Sequence, residues 1–265
     1  AIQFAWGDFV EAVVAPLRSE LGLVNRPRTV PPQKIDIVSN RLTNSSAGRF
    51  FNAWVGELTS AGYDVRLYAL GGTDHVTEAL GRLAQLRKFP EDDVTAWRPL
   101  TQALVADAND VLLFPEPQGS QLTVLVAALR LAPIQCAGFG NPLTTGLHSM
   151  DFFLTPDAAE VDAPQANYRE QVVRLRGLGT SIEAAPTPSA LSREAFGFRD
   201  DEHVYLVSQA MSKWTPRFIE CLCQILAEDT SGRIAYFGFG STVSVRAFQL
   251  ALRKALAAQG IDFAS

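Results

Sequence analysis

Apolar and polar positions in this chain follow two alternating rhythms. Residues 2–23 place Ile2, Phe4, Trp6, Phe9, Val10, Val13, Val14, Leu17 and Leu21 at helical spacing, which predicts one or two helices with Pro16 as a kink or break. Residues 25–33 are rich in proline and polar side chains and read as an extended linker. The helix therefore belongs to something upstream or packs as a strap on the next domain. Lys34 to Ser39 is a compact apolar strand, and Asn40 to Ser46 a polar loop. A helix follows from Ala47 to Ala61, with Phe50, Phe51, Trp54, Val55 and Leu58 on one face and Gly62 in the usual terminating role. Beyond it the pattern predicts strands over 63–70, 87–89, 110–114 and 134–137, separated by helices over 76–86, 94–106 and 121–131.

This alternation predicts an α/β fold built on a parallel, doubly wound sheet. The Gly-x-Gly-x-x-Gly fingerprint is missing after the first strand, which disfavours a nicotinamide or flavin enzyme. From Leu131 to Thr155 two strand-like runs flank a loop holding Gly138, Gly140, Asn141, Pro142, Thr144, Thr145 and Gly146. Small residues held between buried strands let a ligand approach the backbone. A short helix over 165–171, a strand over 172–175 and a turn from Gly177 to Thr180 come next. Residues 184–191, with Pro186 and Pro188, read as an interdomain linker.

A second β-α-β-α unit follows, with strands over 204–208 and 233–237 and helices over 216–226 and 245–258. A further strand is expected to begin at Ile261. The predicted organisation is a helical segment and linker (1–33), a Rossmann-like domain (34–185) and the first half of another (186–265). Both ends of the sequence look like cuts through a longer protein.

Composition narrows the function classes. Hydrophobic residues make up 47% and charged residues 19% of 265 residues, a globular balance. A net charge of −5 argues against binding nucleic acid by bulk electrostatics. No apolar run approaches the roughly 18 residues of a membrane span, and no basic segment precedes an apolar core at the N-terminus. Cys136, Cys221 and Cys223 read as small buried hydrophobes in a reducing compartment, so a cytoplasmic location is expected. The three histidines, His75, His148 and His203, show no zinc-type spacing.

Candidate chemistry sits at predicted carboxyl ends of strands, where open sheets bind ligands. The loop after the first strand offers Asn40, Arg41 and, near the start of its helix, Arg49, a cation that the helix dipole disfavours there. An anionic or polar partner would explain that charge. Glu116, in Phe-Pro-Glu-Pro-Gln-Gly-Ser, follows another strand at the same edge as a base or an acceptor for a sugar hydroxyl. In the second unit, Ser208 to Pro216 leaves a strand and opens a helix that Ser212 or Thr215 caps, with Pro216 at its first position. Lys213 beside that helix start suits phosphate oxygens.

These residues carry a resemblance. Ala132-Pro133-Ile134-Gln135, then Gly140-Asn141-Pro142-Leu143-Thr144-Thr145-Gly146, then Met150-Asp151-Phe152, with Tyr168 to Gly179 behind them, resemble the catalytic region of the O-linked N-acetylglucosamine transferases. The likeness is strongest to their bacterial relatives, among them proteins with tetratricopeptide repeats and the adhesin-modifying N-glucosyltransferases. The loop after Val38-Ser39 and the segment Ser208 to Pro216 fall in the family's order, so the resemblance spans about residues 34–240.

It implies the GT-B arrangement of two Rossmann-like domains with the site in their cleft. It also implies inverting transfer of N-acetylglucosamine or a hexose from a UDP-sugar to a protein or peptide, without a metal or other cofactor. By position Lys213 neutralises the donor diphosphate, Gln209 contacts the donor, and Pro142, Thr144 and Thr145 line the sugar and phosphate site. Asn40, Arg41 and Glu116 fall on the acceptor side. Arg49 and Asn141 stand where family members often carry histidine, so any acceptor-activating role rests on altered residues. The alternative is a degenerate, non-catalytic domain that scaffolds a protein partner. The resemblance places an upstream helical or repeat domain before the chain and a later donor-binding segment beyond Ser265, so this stretch alone is expected to be weak or inactive.

Overall fold

The computed structural model describes residues 2–28, 30–89, 93–182, 191–238 and 242–261, without the side chains of residues 212 and 242–244. The proline-containing linker expected over 184–191 lies outside them apart from Leu191, as does the strand expected after Ile261. The chain divides into two compact units, Ala1–Ala184 and Ala185–Ser265.

The first unit is built on seven parallel strands, β1 (Lys34–Ser39), β2 (Asp64–Leu70), β3 (Gln85–Phe89), β4 (Val111–Phe114), β5 (Ile134–Gly138), β6 (Phe152–Pro156) and β7 (Gln171–Leu175), in the order β3-β2-β1-β4-β5-β6-β7. Successive side chains point to opposite faces of a strand, and both faces are covered. Ile35 and Ile37 of β1 join Val65, Leu67 and Leu113 under Val55 of α2 (Ser46–Ser60) and Leu80 of α3 (His75–Leu80). Val38 joins Tyr68, Leu112 and Phe114 on the other face. There the cover is Val10 and Val14 of α1 (Ile2–Glu20), Leu100 and Leu104 of α4 (Trp97–Asp107), and Leu122 and Val126 of α5 (Gln121–Ala128). Burial on both faces is why these strands read as nearly continuous apolar runs.

Several expected boundaries shift. The helix expected over 76–86 stops at Leu80, because Gly81 closes it and Leu86 pairs with Leu67 in β3. The short helix expected over 165–171 is a 3₁₀ turn, Pro164–Asn167. Pro16 lies inside a single helix and does not break it. The lost hydrogen bond there is offset by Val10, Val14 and the partly buried Leu17, which pack on the core from either side of the proline.

Helix α1 is thus the strap, and it docks closely. The Asp8 carboxylate receives the Arg169 guanidinium, and Glu11 Oε1 accepts the Ser149 N–H at 2.7 Å. The described residues of the Pro-rich stretch after α1 are pinned at Arg26, Arg28 and Gln33. Arg26 donates to Asn109 Oδ1 at 2.9 Å and to the Leu131 carbonyl at 3.0 Å, and Arg28 pairs with Asp151 at 2.9 Å. Asn109 in turn donates to Asp36 Oδ2 at 2.9 Å while Arg66 Nε holds Oδ1 at 2.7 Å. Burial pushes the Asp36 carboxyl above its usual range, and these two partners pull the other way.

The second unit pairs β8 (His203–Val207) with β9 (Gly232–Tyr236) in parallel and packs α6 (Pro216–Glu228) and α7 (Thr242–Ala258) on them. Thr215 caps α6, its hydroxyl accepting the Phe218 N–H at 3.3 Å, and Pro216 takes the first helical position. Of the three cysteines Cys136 and Cys223 are buried as expected, whereas Cys221 is exposed. No described helix is long and apolar enough to cross a membrane.

The docking of α1 has a direct test. A Cβ on Gly7 would stand 1.8 Å from the Gly146 carbonyl oxygen, so Gly7→Ala is expected to destabilise the first unit by about 1–3 kcal/mol. At Gly56, inside α2, a Cβ meets nothing within 4 Å, and Gly56→Ala is expected to stabilise by up to about 1 kcal/mol. Urea unfolding of the two variants should move in opposite directions.

Candidate functional site

Strands β1 and β4 pair in register, Ile37 beside Leu113. After β1 the chain turns into α2 on one face and goes on to β2. After β4 it turns into α5 on the other face and goes on to β5. The two loops part at this reversal of strand order and leave a crevice beyond the carboxyl ends of the strands. A cavity of about 310 Å³ fills it. The β1–α2 loop and the start of α2 contribute Arg41, Ser45, Ser46 and Ala47; the β4–α5 loop contributes Glu116, Gln118 and Gly119; Gly140 and Asn141 follow β5.

The lining has two charges of opposite sign. Glu116 is only 4% exposed, and the Ser39 hydroxyl donates to its Oε1. Arg41 supplies the cation, next to the first turn of α2, whose leading N–H groups have no partners within the helix. Asn40 adjoins the cavity through a 3.4 Å bond from Nδ2 to the Gly119 carbonyl. The wall behind Gly140 is aromatic. A Cβ there would fall 2.7 Å from both Glu116 Cβ and Phe51 Cε2. Phe51 in turn packs at 5.2 Å from Phe139 and 5.0 Å from Trp54, ring centre to ring centre. The Trp54 indole donates to the Gly179 carbonyl at 2.8 Å, so the Gly177 to Thr180 turn braces this wall.

Of the residues singled out in the sequence, Arg41, Glu116 and Asn141 line the crevice and Asn40 adjoins it. Arg49 does not line it: its side chain is exposed and its guanidinium lies 3.4 Å from Asn44 Oδ1. Pro142 is exposed on the loop. Thr144 and Thr145 are buried and turned toward Glu170. The Thr144 hydroxyl donates to Oε2 at 2.6 Å, the Thr145 N–H to Oε1 at 2.8 Å, and the Thr145 hydroxyl also to Oε1. Gln118 ties the crevice to this loop by a 3.0 Å bond from Nε2 to the Thr144 carbonyl.

In the second unit Lys213 ends a one-turn 3₁₀ segment, Met211–Lys213, and is exposed, as is Gln209. The turn is anchored by buried Trp214. Its indole donates to the Gln209 carbonyl at 3.3 Å, and its ring packs on Phe218, Tyr236 and Phe248. Packing of Trp214 inward leaves Lys213 facing solvent just ahead of the α6 N-terminus.

Ser39, Gln118, Glu170 and Trp214 escaped the sequence reading. Each acts through a partner far along the chain or through packing, and only the strand-end position of Ser39 is a local signal. The Cys136 thiol, pushed up to about 12 by burial, is not available as a nucleophile. Among the described residues no group of three or more His, Cys, Asp or Glu could hold a metal ion. Removal of the loop's anchor has a measurable effect. Glu170→Ala strands three buried donors, and at about 1–3 kcal/mol for a stranded group the variant is expected to lower the urea midpoint clearly. The double change Thr144→Val with Thr145→Val should add less on the Glu170→Ala background than alone.

No family model and no curated protein matches the sequence. Among solved structures, a mutant of the Thermobaculum terrenum O-GlcNAc transferase superposes with a TM-score of 0.69 over 90% of this chain and 45% of its own, at 20% identity. This chain thus spans less than half the length of that protein. More distant likenesses are a glycosyltransferase from Rickettsia africae ESF-5 (TM-score 0.44, 10% identity, 87% of this chain and 66% of its own) and the E. coli heptosyltransferase WaaC with ADP (TM-score 0.30, 15% identity, 85% and 72%). The chain has an α/β fold of the GT-B type and resembles the O-GlcNAc transferase in it.

Proposed function

We propose that this chain is part of a metal-independent, inverting glycosyltransferase that moves N-acetylglucosamine or a hexose from a UDP-sugar to a protein side chain. The observation that carries this reading is the crevice between β1 and β4, where buried Glu116 stands with Arg41, Asn141 and the first turn of α2. The likeness in fold to an O-GlcNAc transferase supports it.

In this reading the first unit serves the acceptor. Glu116 takes the proton of the attacking side-chain hydroxyl or amide while that group bonds to the anomeric carbon. Arg41, Asn40 and Asn141 orient the acceptor. The bond between the anomeric carbon and the diphosphate oxygen breaks on the opposite side, which inverts the configuration, and its electron pair stays on the diphosphate. Lys213 neutralises that charge, with Gln209 contacting the donor nearby in sequence. Thr144 and Thr145 act by fixing the shape of the loop that carries Asn141.

Calorimetric titration of the full-length protein with UDP tests the donor assignment. A charge-assisted contact of about 1.5–3 kcal/mol corresponds to a roughly 10- to 100-fold weaker affinity in Lys213→Ala. Absence of UDP binding, or equal binding by wild type and Lys213→Ala, would sink the assignment. A protein partner captured equally by both, without UDP binding, would support the scaffold alternative.

A further inference from the structure

Ser39 Oγ stands between the Arg41 backbone N–H and the Glu116 carboxyl. The Arg41 backbone N–H reaches Ser39 Oγ at 2.8 Å. An amide N–H can only donate, so Ser39 Oγ is the acceptor there. The hydroxyl proton of Ser39 is donated to Glu116 Oε1. A donor aimed at a carboxylate favours the charged form, whereas burial alone favours the neutral one. Glu116 is buried, so the two effects oppose each other at this carboxyl.

The geometry is held by strands and not by a mobile loop. Ser39 is the last residue of β1, and Glu116 follows the end of β4 by two residues, on strands paired through Ile37 and Leu113. Gly119 and Gly140 crowd the Glu116 side chain, since a Cβ on either would come within 3.0 Å of it. Arg41 is the other charged residue of the lining. The residues that face the cavity from α2 (Ser46, Ala47), from the β4–α5 loop (Gln118) and from the loop after β5 (Asn141) are neutral.

We propose that Ser39 is the positioning residue that keeps Glu116 ionised in the crevice at neutral pH. An ionised Glu116 offers an acceptor to a ligand group that has a proton to give, such as a hydroxyl or an amide. This rests on the reading of Glu116 as the acceptor-side base and adds what sets its charge.

The test is a ¹³C NMR titration of the chain labelled at its glutamate carboxyls, with the Glu116 signal assigned by its loss in Glu116→Gln. Ser39→Ala is expected to raise the Glu116 midpoint by about one to two pH units, and Ser39→Thr to restore it. Ser39→Cys, whose thiol is a weaker donor, should give a smaller rise, and it serves in place of Ser39→Ala should that variant not fold. A midpoint unchanged in a folded Ser39→Ala or Ser39→Cys protein overturns the proposal. So does a rise that Ser39→Thr does not reverse. The midpoint is read without donor or acceptor, so its failure leaves the transferase reading standing, and a failed UDP titration leaves this result standing.

Discussion

The pairing of β1 with both β2 and β4 is the constraint on which the candidate site depends. Strand β1 is third in the order β3-β2-β1-β4-β5-β6-β7, flanked by β2 and β4, so the chain leaves its neighbourhood in opposite directions on the two sides. The crevice arises from that reversal without any special loop. The residues at the two strand ends then give it its chemistry. Ser39 and Glu116 meet because Ile37 and Leu113 are in register. A one-residue slip of β4 would turn its apolar side chains to the wrong faces and take Glu116 away from Ser39.

Much of the fold could be read from local pattern, and the exceptions have physical causes. Strands covered on both faces stand out as apolar runs, and the ends of α2 and α6 carry Gly62 and Thr215 in their expected roles. Pro16 does not break α1, because local propensity is weaker than the packing of Val10, Val14 and Leu17. Leu86 lies at helical spacing after Leu83 but serves β3. The Pro-rich stretch reads as a linker by composition, yet Arg26 and Arg28 fasten it to Asn109 and Asp151, over 80 and over 120 residues away. No window of local sequence contains such contacts.

The site shows the same division. Arg41, Glu116 and Asn141 lie in loops at strand ends, and topology alone brings such loops together. Thr144 and Thr145 are better understood through Glu170, a buried carboxylate that holds the loop by three donors. Their hydroxyls define the shape of the turn that presents Asn141. Lys213 is exposed for a comparable reason: Trp214, next to it, is the residue that the hydrophobic core of the second unit holds. In both places an inward-facing residue sets the position of an outward-facing one, and the outward-facing one is available for chemistry.

In the proposed reaction Glu116 acts on an acceptor in a UDP-sugar-dependent transfer. Release of UDP by the full-length protein from a panel of UDP-sugars, measured with and without acceptor protein, tests it most directly. Acceptor-dependent release is expected from at least one sugar donor, lost in Glu116→Gln while UDP still binds. Release that continues unchanged in Glu116→Gln, or no release from any UDP-sugar in the presence of acceptor, would contradict it.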